Sequence, residues 1–343
     1  MRAVGYQNSL PIENDASLVD IELPRPEARG RDILVSVRAV SVNPVDAKVR
    51  VRVQPEAGSW KVLGWDAAGV IESVGPDATL FKPGDEVFYA GALGRSGTNA
   101  EFHLVDERIV GRKPRSLSWS EAAAMPLTAI TAWEALFDRL DVRKPVAGAA
   151  HAILIVGGAG GVGSIATQLA RQLTNLIVIT TASRPETIAW SQSLGAHHVV
   201  DHTKPLAAEV ESLGIGAPAF VFSTTNTDVH MAEISKLLAP QGRFALIDDP
   251  KTLDVSALKP KSASLHWEFM FTRSMFGTPD IAEQGELLNE VARLVDSGML
   301  RTTFGQSFGA INAANLRRAH ALIESGRAKG KIVLEGFGSY GAS

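Results

Sequence analysis

The stretch "GGAGGVGSIATQLA" (157–170) sets five glycines in seven residues and then turns apolar at helical spacing. It follows directly on "AILIV" (152–156), a continuous apolar run. Gly158, Gly160 and Gly163 satisfy G-x-G-x-x-G, and a strand before with a helix after is the context in which that pattern carries physical meaning. One glycine permits the tight turn, a second lets the backbone approach a pyrophosphate, and a third lets helix and strand pack closely. The helix start then offers free N–H groups and a partial positive charge to the phosphates. Gly158, Ala159, Gly160, Gly161, Val162 and Gly163 are therefore the expected pyrophosphate cradle. No Gly-Lys-Ser/Thr follows, which excludes a Walker-type P-loop.

The surroundings agree with a dinucleotide fold. Further apolar runs stand at 176–179, 220–222 and 244–247, as expected of parallel strands covered on both faces. Val162, Ile165, Ala166, Leu169, Ala170 and Leu173 repeat on one helix face. "DVHMAEISKLLAPQG" offers Asp228 as a helix cap and Gly242 as a stop. This alternation predicts a doubly wound α/β domain. The first 120 or so residues differ. "DILVSVRAVSVNP" (32–44), "AAGVIESVG" (67–75), "DEVFYA" (85–90) and "AEFHLVD" (100–106) alternate apolar and polar between Gly/Pro/Asp turns, which predicts short antiparallel strands. Glu283 to Val295 reads as a helix, "KGKIVLEGF" as a final strand, and the tail "GSYGAS" as mobile.

A chain of 343 residues suggests two domains. The formal charge of −3, with acids and bases interspersed, gives no basic stripe for nucleic acid and no polybasic run for a membrane surface. No apolar run is long enough to span a bilayer, and the N-terminus lacks the apolar core of a signal peptide, so a cytoplasmic location is expected. The chain has no cysteine, which removes disulfides, thiolate catalysis and cysteine-ligated metals.

An NAD site places an acid about 20 residues past the glycines to bind the ribose 2′-OH. No acid occurs from Ser164 to Pro185, and Ser183 and Arg184 stand where the ribose is expected. Arg184 can pair with a 2′-phosphate, so the reading favours NADP(H). Ser183-x-x-Glu186 also reads as a capping box, with Pro185 in the first turn.

With these motifs in place, the chain resembles the medium-chain dehydrogenase/reductase superfamily, in its zinc-free quinone oxidoreductase branch. The resemblance runs over nearly the whole chain, through "VNPVDAKVR" (42–50), "LGWDAAGVIESVG" (63–75), "KPGDEVF" (82–88), "GTNAEF" (97–102), "MPLTAITAWEAL" (125–136), "GGAGGVG" and the terminal "GKIVL". It implies a GroES-like β-rich domain from residues 1–126 and 273–343, with a Rossmann NADP(H)-binding domain (127–272) inserted, and a homodimer. In zinc-bearing relatives a Cys stands about where Asn43 does, and a His-Glu pair where this chain has Trp65-Asp66. Asp66 alone cannot make a tetrahedral site, and His198 and His202 lie on a strand end, where i and i+4 do not converge; no metal is expected. Alcohol oxidation is then disfavoured, and reduction of quinones or α,β-unsaturated carbonyls by hydride transfer from the nicotinamide is favoured.

The resemblance places Thr131 beside the nicotinamide, or else its hydroxyl bonds back to its own helix. Asn43 either hydrogen-bonds the acceptor carbonyl or ribose, or satisfies the turn before Pro44. Asp46 is read as holding that turn, Trp65 as core or pocket floor, and Tyr89 as the tyrosine near this region able to donate a proton. His202 is expected near the adenine or its ribose, or in a solvated turn. Ser223, Asn226, Ile247 and Asp248 follow strand ends, where ligands bind in open α/β sheets. Lys331 either reaches a cofactor phosphate or is solvated. The alternatives are a non-catalytic NADPH-binding protein of the same fold and a zinc alcohol dehydrogenase.

Overall fold

The computed structural model describes residues 1–338; Ser339 to Ser343, most of the tail expected to be mobile, lie outside the described residues. The chain divides into two compact units, Met1–Leu127 joined by the chain from Phe271 onward, and Thr128–Met270.

In the first unit the strand Asp32–Val42 is the hub of a seven-stranded sheet. It pairs antiparallel with Asp66–Val74, with Phe102–Asp106 and with Lys331–Glu335. The alternation read from its sequence understates its burial: with partners on both edges, most of its residues are buried. Its register decides what meets at its C-terminal end. Ser41 lies opposite Asp66, and Val42 opposite Ile332. Residues from three distant segments, Asn43, Asp66 and Lys331, are thereby drawn to one spot. A separate three-stranded sheet joins Arg2–Tyr6, Val19–Glu22 and Lys61–Val62.

In the second unit six parallel strands run in the order His198–Val200, Ile177–Thr181, Ala150–Val156, Pro218–Ser223, Arg243–Leu246, Ser264–Trp267. The order reverses between Ala150–Val156 and Pro218–Ser223, so the switch point lies at the glycine-rich turn. Leu154, Val221 and Phe244 are fully buried in the core between sheet and helices. Each such side chain stabilises the unit by about 1.5–3 kcal/mol relative to exposure. The helix Gly161–Leu173 buries Ile165, Ala166, Leu169 and Ala170, the face read from the sequence.

Two helix starts differ from the sequence reading. The helix Thr227–Leu237 is capped at Asn226, whose backbone is left-handed (φ 50°), rather than at Asp228. Its Thr227 N–H donates to Asp248 Oδ2 at 2.8 Å, a partner from the end of the next strand. That helix stops at Leu237, and Gly242 belongs to the turn beyond it. The helix Pro185–Ser193 is entered through Arg184, not Ser183. Thr187 Oγ1 donates to the Arg184 carbonyl at 2.9 Å, and the Ser183–Glu186 capping box does not form. Pro185 holds the first helical position, where its fixed φ is favourable, which makes residue 184 the cap.

Candidate functional site

In the Thr128–Met270 unit the glycines are imposed by contact distances. A Cβ on Gly163 would meet the Gly157 carbonyl oxygen at 2.2 Å, so helix and strand can approach this closely only here. A Cβ on Gly160 would meet the Gly157 carbonyl oxygen at 3.4 Å, an ordinary contact, so packing alone does not demand glycine there. Gly160 is the helix N-cap and carries no side-chain cap. The first-turn N–H groups of Gly161, Val162 and Gly163 thus receive no protein side chain, as an anion site requires. Gly158 and Ala159 are buried in the turn. These residues fit the pyrophosphate of a dinucleotide.

The next strand end supplies the second half of such a site. Ser183 Oγ lies 3.3 Å from His202 Nε2, so residues from two neighbouring strand ends meet. The His202 ring stands edge-on to His230 at 6.4 Å between centroids, a neighbour the sequence did not reveal. Arg184 is partly exposed, with its Nε 3.3 Å from Glu186 Oε1. On the other side of the switch point, Ser223 Oγ and Thr227 Oγ1 are 2.7 Å apart. Asp248, half-buried, is engaged by Thr227, and Asn226, exposed, and Ile247, half-buried, lie on the same rim.

Thr131 is buried on the helix Pro126–Trp133. One turn on, the chain passes into a π-helical stretch, Glu134–Arg139, a form that recurs at functional sites. Glu134 and Glu268 are both buried, with their carboxyl groups in hydrogen-bonding contact. Arg139 Nε donates to Glu268 Oε2 at 3.0 Å. Burial first, and the Glu134 charge second, hold the Glu268 carboxyl well above the usual range. The sequence reading passed over both acids; the signal available was an acid inside the apolar run "TAWEALF".

In the first unit, Asn43, Asp66 and Lys331 form a closed cluster. Lys331 Nζ lies 2.8 Å from Asp66 Oδ2, also donates to Asn43 Oδ1, and is 3.3 Å from the Val42 carbonyl. Asn43 Nδ2 donates to Asp66 Oδ2 at 2.9 Å and to the Ser41 carbonyl at 3.3 Å. Asp66 Oδ1 accepts the Leu127 N–H at 2.7 Å. Lys331 is therefore not a solvated side chain but a buried one, and its ammonium points to a carboxylate rather than outward to a phosphate. Both amide protons of Asn43 are engaged within the cluster, so Asn43 orders this corner instead of offering a free donor. Asp46 holds the turn, its Oδ2 accepting the Asn43 N–H at 2.8 Å. Burial raises the Asp46 carboxyl to about 7, with the Asp66 charge adding and Lys331 opposing.

Trp65 is core, edge-on to Phe271 at 6.1 Å, and its Nε1 has no partner among the described residues. Tyr89 is buried, with its hydroxyl 3.1 Å from His103 Nδ1. His103 Nε2 donates to the Ser96 carbonyl at 2.9 Å, which leaves Nδ1 to accept the Tyr89 proton. That proton is engaged, and burial raises the phenol further, so Tyr89 is poorly placed as an acid.

Residues 29–115 match the family profile for the alcohol dehydrogenase GroES-like domain, and residues 194–334 that for zinc-binding dehydrogenases. A Staphylococcus aureus zinc-type alcohol dehydrogenase-like protein is 40% identical over 97% of this chain and 99% of its own. The chain belongs to the medium-chain dehydrogenase/reductase superfamily. A Rhizobium etli protein, described as a candidate zinc-dependent alcohol dehydrogenase, has a solved structure that matches with a TM-score of 0.97 at 69% identity, covering 99% of both chains. The Coxiella burnetii quinone oxidoreductase matches with a TM-score of 0.79 at 26% identity, over 98% of this chain and 99% of that one. The protein is thus an oxidoreductase of this superfamily, with a nucleotide-binding Rossmann unit and a GroES-like unit.

The zinc in the names of its relatives does not fit the donors present here. Zinc in this chemistry takes about four N, O or S ligands in a tetrahedron. Among the described residues no group of three or more His, Asp or Glu is placed to hold a metal. The Asp66 carboxylate is already bonded at both oxygens, and the adjacent Lys331 ammonium repels a second cation. No helix among the described residues is long and apolar enough to cross a membrane.

Proposed function

We propose that this oxidoreductase is an NADPH-dependent, zinc-independent reductase of quinones or α,β-unsaturated carbonyls. The observation that carries this reading is the Lys331–Asp66–Asn43 cluster, a charge-neutral and fully bonded arrangement where zinc-bearing relatives are expected to keep metal ligands. Bound NADPH would supply the hydride. With no Lewis acid to draw the proton from an alcohol, the acceptors that suit the site are those already electron-poor. Their reduction takes one hydride and one proton, giving a hydroquinone or a saturated carbonyl compound. The turn at 157–163 binds the pyrophosphate, Ser183, Arg184 and His202 receive the 2′-phosphate, and Ser223, Asn226, Ile247 and Asp248 border the nicotinamide half. Thr131 positions the nicotinamide. Asn43 and Lys331 act by keeping Asp66 bonded.

We place the enzyme in the cytoplasm as a homodimer. Support for the dimer comes from the edge strand Ser264–Trp267, whose outer edge pairs with no strand among the described residues; it carries Trp267 at 55% exposure and is followed by Phe269 at 48%. Exposed apolar groups at an unpaired strand edge favour association.

The test is NADPH oxidation followed by absorbance with a panel of quinones and enals, beside simple primary alcohols with NADP+, on tag-free protein of measured zinc content. Turnover of quinones or enals with far less than one zinc per chain is expected. Zinc-dependent oxidation of alcohols with quinones inert would reverse the reading. NADPH binding without turnover of any acceptor would point to a binding protein instead.

A further inference from the structure

Ser183, His202 and His230 converge from three separate segments of the Thr128–Met270 unit. Ser183 follows the strand Ile177–Thr181, His202 follows His198–Val200, and His230 lies in the first turn of the helix Thr227–Leu237. Both imidazoles are half-buried, so a ligand can reach them. Their rings stand at 71° to one another with centroids 6.4 Å apart, close enough for one charge to oppose the other.

We propose that the His202–His230 pair makes recognition of the 2′-phosphate proton-linked, so that binding NADP(H), but not NAD(H), draws protons onto the two imidazoles. This rests on the NADP(H) reading above and adds to it a dependence of cofactor choice on pH.

The Ser183–His202 contact supplies the local chemistry. With neutral His202 in its Nδ1–H form, the Ser183 hydroxyl donates to Nε2 across the 3.3 Å gap, and its proton is engaged. When His202 takes a proton, Nε2–H donates instead. The bond reverses, and the Ser183 hydroxyl is free to donate to a phosphate oxygen. One proton thus creates a cationic edge and a second donor for the same anion. Charge-assisted contacts of this kind are the stronger ones.

His230 sets how readily that happens. Burial first, and His202 second, lower its affinity for a proton; Asp228 and Asp248 oppose both. In the free protein the two rings compete, so holding two charges is disfavoured. A 2′-phosphate carrying about −1.5 to −2 charge near pH 7 relieves that competition. Asp201, with Lys204 near it, flanks His202 on its own turn, and its carboxylate is kept ionised by the Thr203 N–H and hydroxyl.

The experiment is calorimetric titration of the full chain with NADP+ and with NAD+, in buffers of different ionisation enthalpy, from pH 8 to about 6.5. Staying above about 6 limits titration of the phosphate itself. Relative to NAD+, NADP+ is expected to take up roughly half to one extra proton near pH 7, and the ratio of the two Kd values to shift about three- to tenfold toward NADP+ across the range. His202→Asn should flatten the shift, and His230→Asn should leave a shallower one. Unchanged melting temperatures show that either variant is folded. Equal proton uptake for the two dinucleotides, or a shift unchanged in both variants, would overturn the inference while leaving NADP(H) selectivity standing. Equal affinities for NADP+ and NAD+ at every pH would overturn the cofactor reading and this inference with it.

Discussion

Lys331 Nζ lies 2.8 Å from Asp66 Oδ2, and the two side chains are 3% and 0% exposed. Two charges have been taken out of water together, and each is stabilised by further hydrogen bonds: Asp66 by the Leu127 N–H, Lys331 by Asn43 and the Val42 carbonyl. Removing one partner strands the other. Lys331→Met should therefore destabilise the protein by about 3–5 kcal/mol. Adding Asp66→Asn discharges the carboxylate and keeps an acceptor for the Leu127 N–H, so the double variant should recover much of that loss. Urea unfolding of the four members of the cycle checks this. A double variant as unstable as the sum of the singles would mean the pair is held by packing rather than by charge.

Asp46 gives stability a pH dependence of defined sign. Its folded pKa of about 7 exceeds the ordinary value of 3.8 because burial disfavours the charged form. The native state therefore holds its proton more tightly than the unfolded chain, and its contribution is lost as pH rises from about 4 to 7. Asp46→Asn keeps an acceptor for the Asn43 N–H and removes the titration. Relative to wild type, this variant should gain up to about 4 kcal/mol between pH 4 and pH 8, from three units at about 1.4 kcal/mol each. Unfolding free energies measured at both pH values decide it, and a difference independent of pH would contradict the assignment.

Glu134 and Glu268 call for a spectroscopic test. With Glu268 held protonated well above the usual range, one carboxylic acid should persist at neutral pH. Infrared difference spectra should show a protonated carboxyl band at pH 7 that vanishes in Glu268→Gln. The glutamine can still accept from Arg139 and donate to Glu134, so the fold should survive, and stability should fall less with rising pH than in wild type. A band unaffected by the substitution would place the proton elsewhere.

These clusters escape a sequence reading for one reason. Asp66 and Lys331 are 265 residues apart, and only the registers Ser41 to Asp66 and Val42 to Ile332 bring them together. Glu134 and Glu268 likewise come from a helix and a distant strand end. The glycine-rich turn, by contrast, was legible because its strand, turn and helix are contiguous, and the same holds for the apolar runs of the parallel sheet. Between these extremes lies Ser183. Its capping-box pattern was present, but Pro185 at the first helical position moved the cap by one residue, and the serine hydroxyl turned to His202 instead.

The same displacement of the cap bears on Arg184. Its Nε lies 3.3 Å from Glu186 Oε1, with the two side chains 43% and 53% exposed. An exposed pair of this kind is worth about 0–1 kcal/mol, too little for Glu186 to outcompete a 2′-phosphate for the guanidinium. Charge-assisted hydrogen bonds to such a phosphate contribute roughly 1.5–3 kcal/mol each, and about 1.4 kcal/mol is tenfold in affinity. Arg184→Ala should weaken NADPH about ten- to a hundredfold and leave NADH nearly unchanged. Because Ser183 does not cap the helix, Ser183→Ala should weaken NADPH with no loss of thermal stability, whereas a capping serine would cost about 1 kcal/mol. Dissociation constants at fixed salt, with melting temperatures alongside, separate the cases, since screening weakens charged contacts. Equal losses for NADPH and NADH in Arg184→Ala would make the arginine structural and remove the main support for NADP(H) over NAD(H).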